Sequence, residues 1–466
     1  MKTGLMKQIW ELSGKISDKN GYERLTSLTD KLIELYREQG RIENNPLESS
    51  RKRTLSIPSE ELKQILNQSS ILVTGGLGCV GSTLVRALLE HGPAKIVVVD
   101  KVSPQESSYK LPESEQIEFR QHDILDEKGL EEIFRTYRPE FVFHTAAQRN
   151  PGLAEKSILD TVKTNILGTL AVLTACENTP SVNQCVFTST GKASRYLTNE
   201  IYAATKKICE MLLDDFSRNG SKIYSMVRFT HIVDNSLMDK QIMEYAENGD
   251  FIPIHSPGKF VTAQNVNEAA LLLLNALIHS EKGIARFLLV KNLEWPVESL
   301  ELALYYIQEF KRKIPIIFTG NPKGYGEKFF RGQLDWKNPL ELNLLINVYE
   351  NRKREINRAE DIIISTLVPT SHNLLDHLIS ALKKVSTDQE AKTVLLNGLK
   401  ELFEDSLAHV PASQTMEILK WGLDQNHLKQ DGLTPSDFGD MIPIMMRSLS
   451  KTPFEKELKD AFESPC

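Results

Sequence analysis

The chain has 466 residues, of which 25% are charged and 41% hydrophobic, with a formal net charge of −6 and a pI near 6.0. This length allows two or three domains, and the acidic balance gives no reason to expect nucleic-acid binding. The five cysteines show no metal-ligand spacing, so we expect free thiols, a reducing cytoplasmic compartment and no metal site. The N-terminal sequence lacks the apolar run of a signal peptide, and no apolar stretch approaches the roughly 18 residues of a membrane span.

Helical spacing marks the start of the chain. Leu25, Leu28 and Leu32 recur at the three- and four-residue intervals of one helix face. The polar stretch IENNPLESSRKR that follows indicates a linker. We therefore predict an N-terminal helical extension and linker over residues 1–68.

From residue 71 onward, short apolar runs rich in β-branched residues alternate with helical patterns. The runs are ILVTG at 71, KIVVVD at 95, FVFH at 141, CVFTS at 185 and YSMVRF at 224. Continuous apolar strands between helices are typical of a parallel sheet that is covered on both faces. The sequence therefore predicts an α/β fold, a Rossmann-type doubly wound parallel sheet with a small substrate-binding lobe, over residues 69–335.

Strand signals weaken after residue 336. HNLLDHLISALKKV and AKTVLLNGLKELFEDSL carry apolar residues at helical spacing, punctuated by Pro411 and the turn KQDGLTPSD. We predict a C-terminal helical domain over residues 336–466. Its amphipathic helices, like those of the N-terminal extension, are expected to pack against the core or a second subunit.

The stretch ILVTGGLGCVGSTLVRALLEHG places Gly75, Gly78 and Gly81 between a strand and a helix. The first glycine permits a tight turn, the second lets the backbone approach a pyrophosphate, and the third lets helix and sheet pack closely. Asp100 follows Gly81 by 19 residues, at the end of the next strand, where a carboxylate accepts hydrogen bonds from an adenosine ribose. This pattern predicts an NAD site, and Lys101 leaves NADP as the alternative.

A tyrosine–lysine pair lies within TSTGKASRYLTNEIYAATKK, residues 188–207, where Lys206 follows Tyr202 by four positions. With the glycine loop and Thr190 at the preceding strand end, this pair resembles the extended short-chain dehydrogenase/reductases. Three further stretches resemble the polysaccharide-biosynthesis branch of that family, the nucleotide-sugar 4,6-dehydratases: FHTAAQRNPGLAEKSILDTVKTNILGT at 143, VRFTHIVDN at 227 and IPIIFTGNPKGYGEKFF at 314. The similarity covers roughly residues 55–335.

The resemblance implies an NAD(P)-dependent enzyme that acts on a nucleotide-activated sugar through oxidation at C4. It implies that Tyr202 takes the hydroxyl proton, that Lys206 lowers the tyrosine pKa, and that Thr190 hydrogen-bonds the sugar hydroxyl. Lys192 would draw the C5 proton in a dehydration. Because the family often forms oligomers, we also expect self-association.

The predicted binding residues fall into two sets. The cofactor set is Gly75, Gly78, Cys79, Val80, Gly81, Asp100, Asp123, Ile124, Ala146, Ala147, Asn165, Tyr202 and Lys206. The substrate set is Gln148, Arg149, His231, Lys259, Lys323 and Lys328. In the family, arginines stand where this chain has Val261 and Lys323, so the contacts to a sugar-nucleotide diphosphate are altered. His144, which ends an apolar strand, is expected to be structural.

One family position differs in a way that bears on the reaction. The dehydratases carry Ser-Thr-Asp-Lys where residues 189–192 read Ser-Thr-Gly-Lys. The aspartate protonates the departing hydroxide, and Gly191 has no proton to give. We therefore expect the product to keep its C6 hydroxyl, and Gly191→Asp to raise the yield of 4-keto-6-deoxy sugar. The loop that ends at Tyr202 is two residues longer than in the family, and its Glu200 is the alternative acid.

Three hypotheses remain open. The first is the nucleotide-sugar enzyme, which ends in dehydration, epimerisation or net oxidation. The second is an NAD(P)-dependent oxidoreductase of a non-sugar metabolite, which the altered arginine positions would allow. The third is a non-catalytic NAD-binding protein that uses its helical ends for partners, against which the presence of Tyr202 and Lys206 argues.

Overall fold

The computed structural model of the chain describes residues 2–462. Within this range the strands, in chain order, are β1 Ser70–Thr74, β2 Lys95–Asp100, β3 Ile117–Gln121, β4 Phe141–His144, β5 Gln184–Thr190, β6 Ile223–Phe229, β7 His231–Ile232, β8 Ile252–Ile254, β9 Phe260–Val261, β10 Ala263–Gln264, β11 Arg286–Val290, β12 Val297–Glu298, β13 Ile316–Phe318, β14 Glu355–Ile356 and β15 Ile362–Thr366. The α-helices are α1 Lys2–Leu12, α2 Lys19–Glu38, α3 Glu48–Lys52, α4 Ser59–Leu66, α5 Cys79–Leu89, α6 Glu127–Tyr137, α7 Pro151–Ala154, α8 Ile158–Val162, α9 Gly168–Asn178, α10 Ile201–Asn219, α11 Leu237–Asn248, α12 Val266–Ile278, α13 Ser299–Glu309, α14 Val348–Asn351, α15 His372–Leu382, α16 Asp388–Ser406, α17 Ala412–Gly422, α18 Gln425–Asp431, α19 Met441–Leu449 and α20 Glu455–Phe462.

The central sheet contains nine strands in the order β14-β15-β11-β6-β5-β4-β1-β2-β3. All neighbours from β11 to β3 pair in parallel, as the continuous apolar strands predict. The chain order reverses between β1 and β4, and a crevice at the carboxyl ends of such a strand pair is where doubly wound sheets bind ligands. The predicted Rossmann-type sheet is confirmed.

The C-terminal region is not wholly helical, which corrects the expectation drawn from its fading strand signals. β15 pairs antiparallel with β11, and β14 pairs antiparallel with β15, so both strands extend the central sheet. The run Ile362–Ile364 was the available signal. Periodicity alone does not distinguish so short an apolar run from part of a buried helix.

The chain forms two compact units whose limits differ from the three predicted domains. Unit 1 comprises the residues up to Thr54 together with Thr230–Ala269 and Asn292–Gly326. Unit 2 comprises Leu55–Phe229, Ala270–Lys291 and the residues from Glu327 onward. The predicted boundaries followed local sequence patterns, whereas the units follow contacts between segments that are distant in the chain.

Within unit 1, the N-terminal helices complete the core of the lobe. The hydroxyl of Thr29 accepts a hydrogen bond from Ile316 N at 3.0 Å, and that of Ser13 accepts one from Phe318 N at 2.9 Å. Each hydroxyl also donates to the carbonyl four residues earlier, Ser13 to Ile9 and Thr29 to Leu25. One edge of β13 pairs with β8, and the other edge faces these helices. The two hydroxyls therefore accept hydrogen bonds from N–H groups that no neighbouring strand satisfies. The predicted packing of these helices against the core is confirmed within this unit.

Within unit 2, the C-terminal helices share a core with the loop that follows β5. Tyr196 from that loop is buried among Phe330, Tyr349 and Phe403. Its hydroxyl donates to the carbonyl of Gly332 at 3.1 Å. The C-terminal region is therefore joined to the loop that carries the predicted catalytic lysine.

One helix in the described part of the chain, Ile158–Asn178, is long and apolar enough to cross a membrane by length and composition. The structure buries 61% of its most apolar window. A core helix passes the same test, so this helix is weak evidence for a membrane span.

Candidate active site

The glycine loop joins β1 to α5 beside the point where the strand order reverses. Gly75 has a φ of +70°, and a Cβ there would lie 2.5 Å from Ala146 N, so the turn requires glycine. A Cβ on Gly81 would collide with the carbonyl of Gly75. A Cβ on Gly78 would meet only the Gly75 carbonyl, at 3.2 Å. The space in front of Gly78 is therefore open to a pyrophosphate, and the cradle fits a dinucleotide.

Asp100 ends β2, the strand next to β1. Its carboxylate accepts hydrogen bonds from Leu77 N at 3.0 Å and Val102 N at 3.1 Å. These contacts fix the glycine loop to the end of β2. A carboxylate accepts about four hydrogen bonds, so both oxygens keep capacity for ribose hydroxyls.

The other predicted cofactor residues follow neighbouring strand ends. Cys79 and Val80 are the first residues of α5. Asp123 is exposed and Ile124 buried, shortly after β3, and Ala147 lies shortly after β4. Because parallel strands share one carboxyl edge, these residues belong to the edge that carries the glycine loop.

Asn165 lies in a π-helical turn, Lys163–Leu167, between α8 and α9. Its amide oxygen accepts from Gln148 N at 2.8 Å, and its amide nitrogen donates to the Gln148 carbonyl at 3.1 Å and to the Thr205 hydroxyl at 3.0 Å. The side chain thereby ties the segment that carries Arg149 to helix α10. Such π turns are frequent at functional sites.

Thr190 and Tyr202 form the centre of the candidate site. Thr190 ends β5 and Tyr202 is the second residue of α10, and the Thr190 hydroxyl lies near enough to the phenol to act on its pKa. Burial raises the pKa of the Tyr202 phenol, while the Thr190 hydroxyl and the charge of Arg149 act to lower it. Arg149 itself is exposed. It therefore brings a positive charge near the phenol, in addition to its predicted role in substrate binding.

Lys206 lies one turn after Tyr202 and is buried. Its ammonium donates to the Thr188 carbonyl at 2.8 Å and lies 4.5 Å from the ring centroid of Phe187. Burial lowers the pKa of Lys206 to about 8. This lysine is thus directed at the end of β5.

Lys192 is paired with Glu200, the alternative acid of the sequence analysis. Its ammonium donates to Glu200 Oε2 at 2.5 Å, and Arg195 contacts the same oxygen at 3.2 Å. Arg195 also pairs with Glu327, which accepts from the Thr198 hydroxyl at 2.8 Å. Glu200 therefore serves as the acceptor of two cations. The sequence did not predict this contact, although Glu327 lies in the stretch IPIIFTGNPKGYGEKFF that carries Lys323 and Lys328.

A C-terminal segment reaches the same strand end, and sequence reasoning missed it. Leu345 packs against Gly191, where a Cβ would lie 2.5 Å from Leu345 Cγ. The amide of Asn347 donates to the Ser194 carbonyl at 3.0 Å, and the Ser194 hydroxyl donates to the Leu344 carbonyl at 3.1 Å. No local pattern marks these contacts, because their partners lie about 150 residues apart.

The predicted substrate residues are divided between the two units. Unit 1 holds His231, Lys259 and Lys323, and unit 2 holds Gln148, Arg149 and Lys328. In unit 1 the His231 ring bonds to the Ser236 hydroxyl at 2.7 Å, and the Lys259 ammonium contacts the Tyr325 carbonyl at 3.3 Å. Burial lowers the pKa of His231.

His144 is structural, as expected. Its ring nitrogens bond to the hydroxyls of Thr74 at 2.7 Å and Thr169 at 3.0 Å. Burial lowers its pKa to about 3, so the ring is neutral near neutral pH.

The cysteines of the described residues are buried free thiols: Cys79, Cys176, Cys185 and Cys209. The remaining predicted free thiol, Cys466, lies outside the described residues. Among the residues that the structure covers, no group of three or more His, Cys, Asp or Glu side chains is placed to hold a metal ion.

This fold and site define an extended short-chain dehydrogenase/reductase. The family of polysaccharide biosynthesis proteins matches residues 71–336, more than half of the chain. The chain belongs to that family.

Two curated relatives and one solved structure illustrate the family. The chain is 26% identical over 315 residues to the capsular polysaccharide biosynthesis protein CapD of Staphylococcus aureus, covering 60% of this chain and 51% of CapD. It is 31% identical over 176 residues to a UDP-N-acetylglucosamine 4,6-dehydratase (inverting) of Campylobacter jejuni, covering 36% of this chain and 51% of the dehydratase. The chain thus spans about half the length of these relatives. Pen from Bacillus thuringiensis shares the fold, with a TM-score of 0.53, 18% identity, and coverage of 71% of this chain and 98% of Pen.

Proposed function

We propose that this protein is an NAD-dependent enzyme that oxidises C4 of a nucleotide-activated sugar and then reduces the same carbon, without eliminating water. The observation that carries the proposal is that Tyr202 and Lys206 lie one turn apart at the start of α10, beside the end of β5 that carries Thr190. Lys206 donates to the Thr188 carbonyl of that strand at 2.8 Å. The family assignment and the UDP-N-acetylglucosamine 4,6-dehydratase relative support a nucleotide sugar as substrate. Asp100 favours NAD over NADP, because its carboxylate would repel a 2′-phosphate.

Proton transfer at the sugar hydroxyl falls to Tyr202. Burial raises the pKa of the Tyr202 phenol, and the Thr190 hydroxyl and the charge of Arg149 act against it by favouring the phenolate. The phenolate accepts the proton of the C4 hydroxyl and returns it when the carbon is reduced. NAD, when bound, supplies the hydride acceptor and donor.

Elimination of water needs two further groups, a base at C5 and an acid at the departing hydroxide. Residue 191 is a glycine, and Leu345 occupies the space beside it. Glu200 already accepts a hydrogen bond from Lys192 and forms an ion pair with Arg195. Oxidation followed by reduction from the other face needs neither group, so we propose a C4-epimerase-like reaction.

The test is to offer the purified protein UDP-, dTDP- and GDP-hexoses while following nicotinamide absorbance and product mass. The proposal expects a transient absorbance change and a product of unchanged mass. Tyr202→Phe is the matched control, because it removes only the phenol oxygen and should abolish the change while cofactor remains bound. Rapid loss of one water from the substrate would refute the epimerase-like reaction, and a fully active Tyr202→Phe enzyme would refute the role of the tyrosine.

We further propose that the enzyme acts in the cytoplasm as a homo-oligomer. The family resemblance motivates self-association, and the acidic composition suits a soluble cytoplasmic enzyme. Light scattering of the purified chain gives the oligomeric state, and a monomer at all accessible concentrations would refute this part of the proposal.

A further inference from the structure

Arg228, on β6, is fully buried and uses every donor of its guanidinium group. Its Nε and Nη2 donate to the two oxygens of Glu210 at 2.8 and 2.7 Å. Its Nη1 and Nη2 donate to the two oxygens of Glu350 at 2.7 and 2.8 Å, and Nη1 also donates to the Leu345 carbonyl at 3.0 Å. Arginine has five N–H donors, so all are satisfied. We call Arg228, Glu210 and Glu350 the buried clamp.

The buried clamp reaches the proposed catalytic residues from one side. Glu210 lies on α10, one turn after Lys206 and two turns after Tyr202. Its Oε1 also accepts a hydrogen bond at 2.6 Å from Ser189, the residue before Thr190. A single carboxylate therefore links the end of β5 to the helix that carries the tyrosine.

On the other side, the buried clamp holds a C-terminal segment that lies beyond the family match at residues 71–336. Glu350 and Asn347 form a reciprocal cap at the start of α14. Asn347 also holds the Ser194 carbonyl, and Leu345 packs against Gly191. The segment 343–350 thus contacts both the clamp and the loop that follows β5.

We propose that Arg228 and Glu350 are positioning residues, which hold the end of β5, with Thr190, against helix α10, with Tyr202. This inference rests on the proposed function. Removing one partner of a buried ion pair lowers stability strongly, whereas replacing all its members by apolar residues often leaves stability unchanged. A buried clamp of this kind therefore contributes more to geometry than to net stability. A displacement of about 1 Å at reacting groups costs about 100-fold in rate, which gives this geometry its functional weight.

Two variants of the full chain test the inference. Ser189→Ala removes one hydrogen bond between β5 and Glu210, and Glu350→Gln removes one charge from the clamp. We expect kcat to fall about 10- to 100-fold in Glu350→Gln and less in Ser189→Ala, with KM and NAD affinity within about twofold of wild type. Glu404→Gln, which breaks the exposed pair with Arg447, is the matched control and should leave kcat unchanged.

A second readout keeps the test independent of turnover and of variant folding. Amide hydrogen exchange is followed in peptides that cover residues 186–206, at a temperature at which each variant is folded. Faster exchange there in Ser189→Ala, with unchanged exchange in Glu404→Gln, supports the inference. If both variants are active and either their kcat or their amide exchange in residues 186–206 equals that of wild type, the inference is overturned. If the wild-type chain turns over no sugar, the proposed function fails, and the exchange data still decide whether the clamp positions this region.

Discussion

Leu345 packs so closely against Gly191 that a Cβ at residue 191 would lie 2.5 Å from Leu345 Cγ. Leu345 is buried, and the Arg228 guanidinium holds its carbonyl. A side chain at residue 191 therefore requires Leu345 to move. Gly191→Asp, which is expected to raise the yield of 4-keto-6-deoxy sugar, would add the acid and displace Leu345 at the same time.

Substitution at Gly191 should thus act first on stability. Gly191→Ala is expected to lower the free energy of unfolding by about 1–3 kcal/mol, since overpacking forces neighbours to move. Combined with Leu345→Ala, which frees the space, it should cost less than the two single changes added together. Urea unfolding of both single variants and the double variant measures this coupling. Additive costs would show that the two residues do not compete for the same space.

The glycine loop gives a prediction about cofactor binding. Gly78→Asp would place a carboxylate in the open space in front of the loop, where it would repel a pyrophosphate, so NAD affinity should fall by at least about 100-fold, or 2.7 kcal/mol. Gly78→Ala is the size control, because its Cβ would meet only the Gly75 carbonyl. Titration calorimetry compares the two variants. Equal NAD affinity in Gly78→Asp and wild type would contradict the site assignment.

Lys206 gives a prediction about stability and pH in the cofactor-free protein. Burial lowers its pKa from 10.5 to about 8. Below pH 8 the lysine is charged in both states and the folded chain bears the full cost of burying the charge. Between pH 8 and 10.5 only the unfolded chain keeps the proton, so the free energy of unfolding rises with pH.

Lys206→Met removes this contribution. The free energy of unfolding of the variant minus that of wild type should therefore be larger at pH 7 than at pH 10. The difference between the two conditions should be on the order of 3 kcal/mol. Urea unfolding at both pH values measures it, and Lys128→Met provides an exposed control on α6. A difference independent of pH would contradict the burial effect.

The N-terminal helices give a prediction for unit 1. Thr29→Val keeps the shape of the side chain but leaves the buried N–H of Ile316 without its acceptor, so the free energy of unfolding should fall by about 1–3 kcal/mol. Thr29→Ser keeps the hydroxyl and should retain most of the lost stability. Thermal unfolding compares the two variants. Equal stability of the valine and serine variants would show that the hydroxyl does not support the edge strand.

Local patterns in the sequence determined five strands of the central sheet, the glycine loop and the tyrosine–lysine pair. The apolar runs predicted β1, β2, β4, β5 and β6, because a strand buried on both faces needs continuous apolar residues. Gly75 was predictable because its turn requires a positive φ. The role of Tyr202 in catalysis and the binding of NAD remain predictions from residue type and family resemblance.

Only the tertiary structure decided which distant residues meet. Thr29 meets Ile316 across 287 residues, and Arg228 meets Glu350 across 122 residues. Neither contact leaves a periodic trace, since each depends on one side chain reaching one partner. The same holds for Gly191: its identity suggested a missing acid in the sequence, and in the fold a Cβ there would lie 2.5 Å from Leu345 Cγ. Sequence periodicity reports which face of an element is buried, whereas the partner on that face is set by how the whole chain packs.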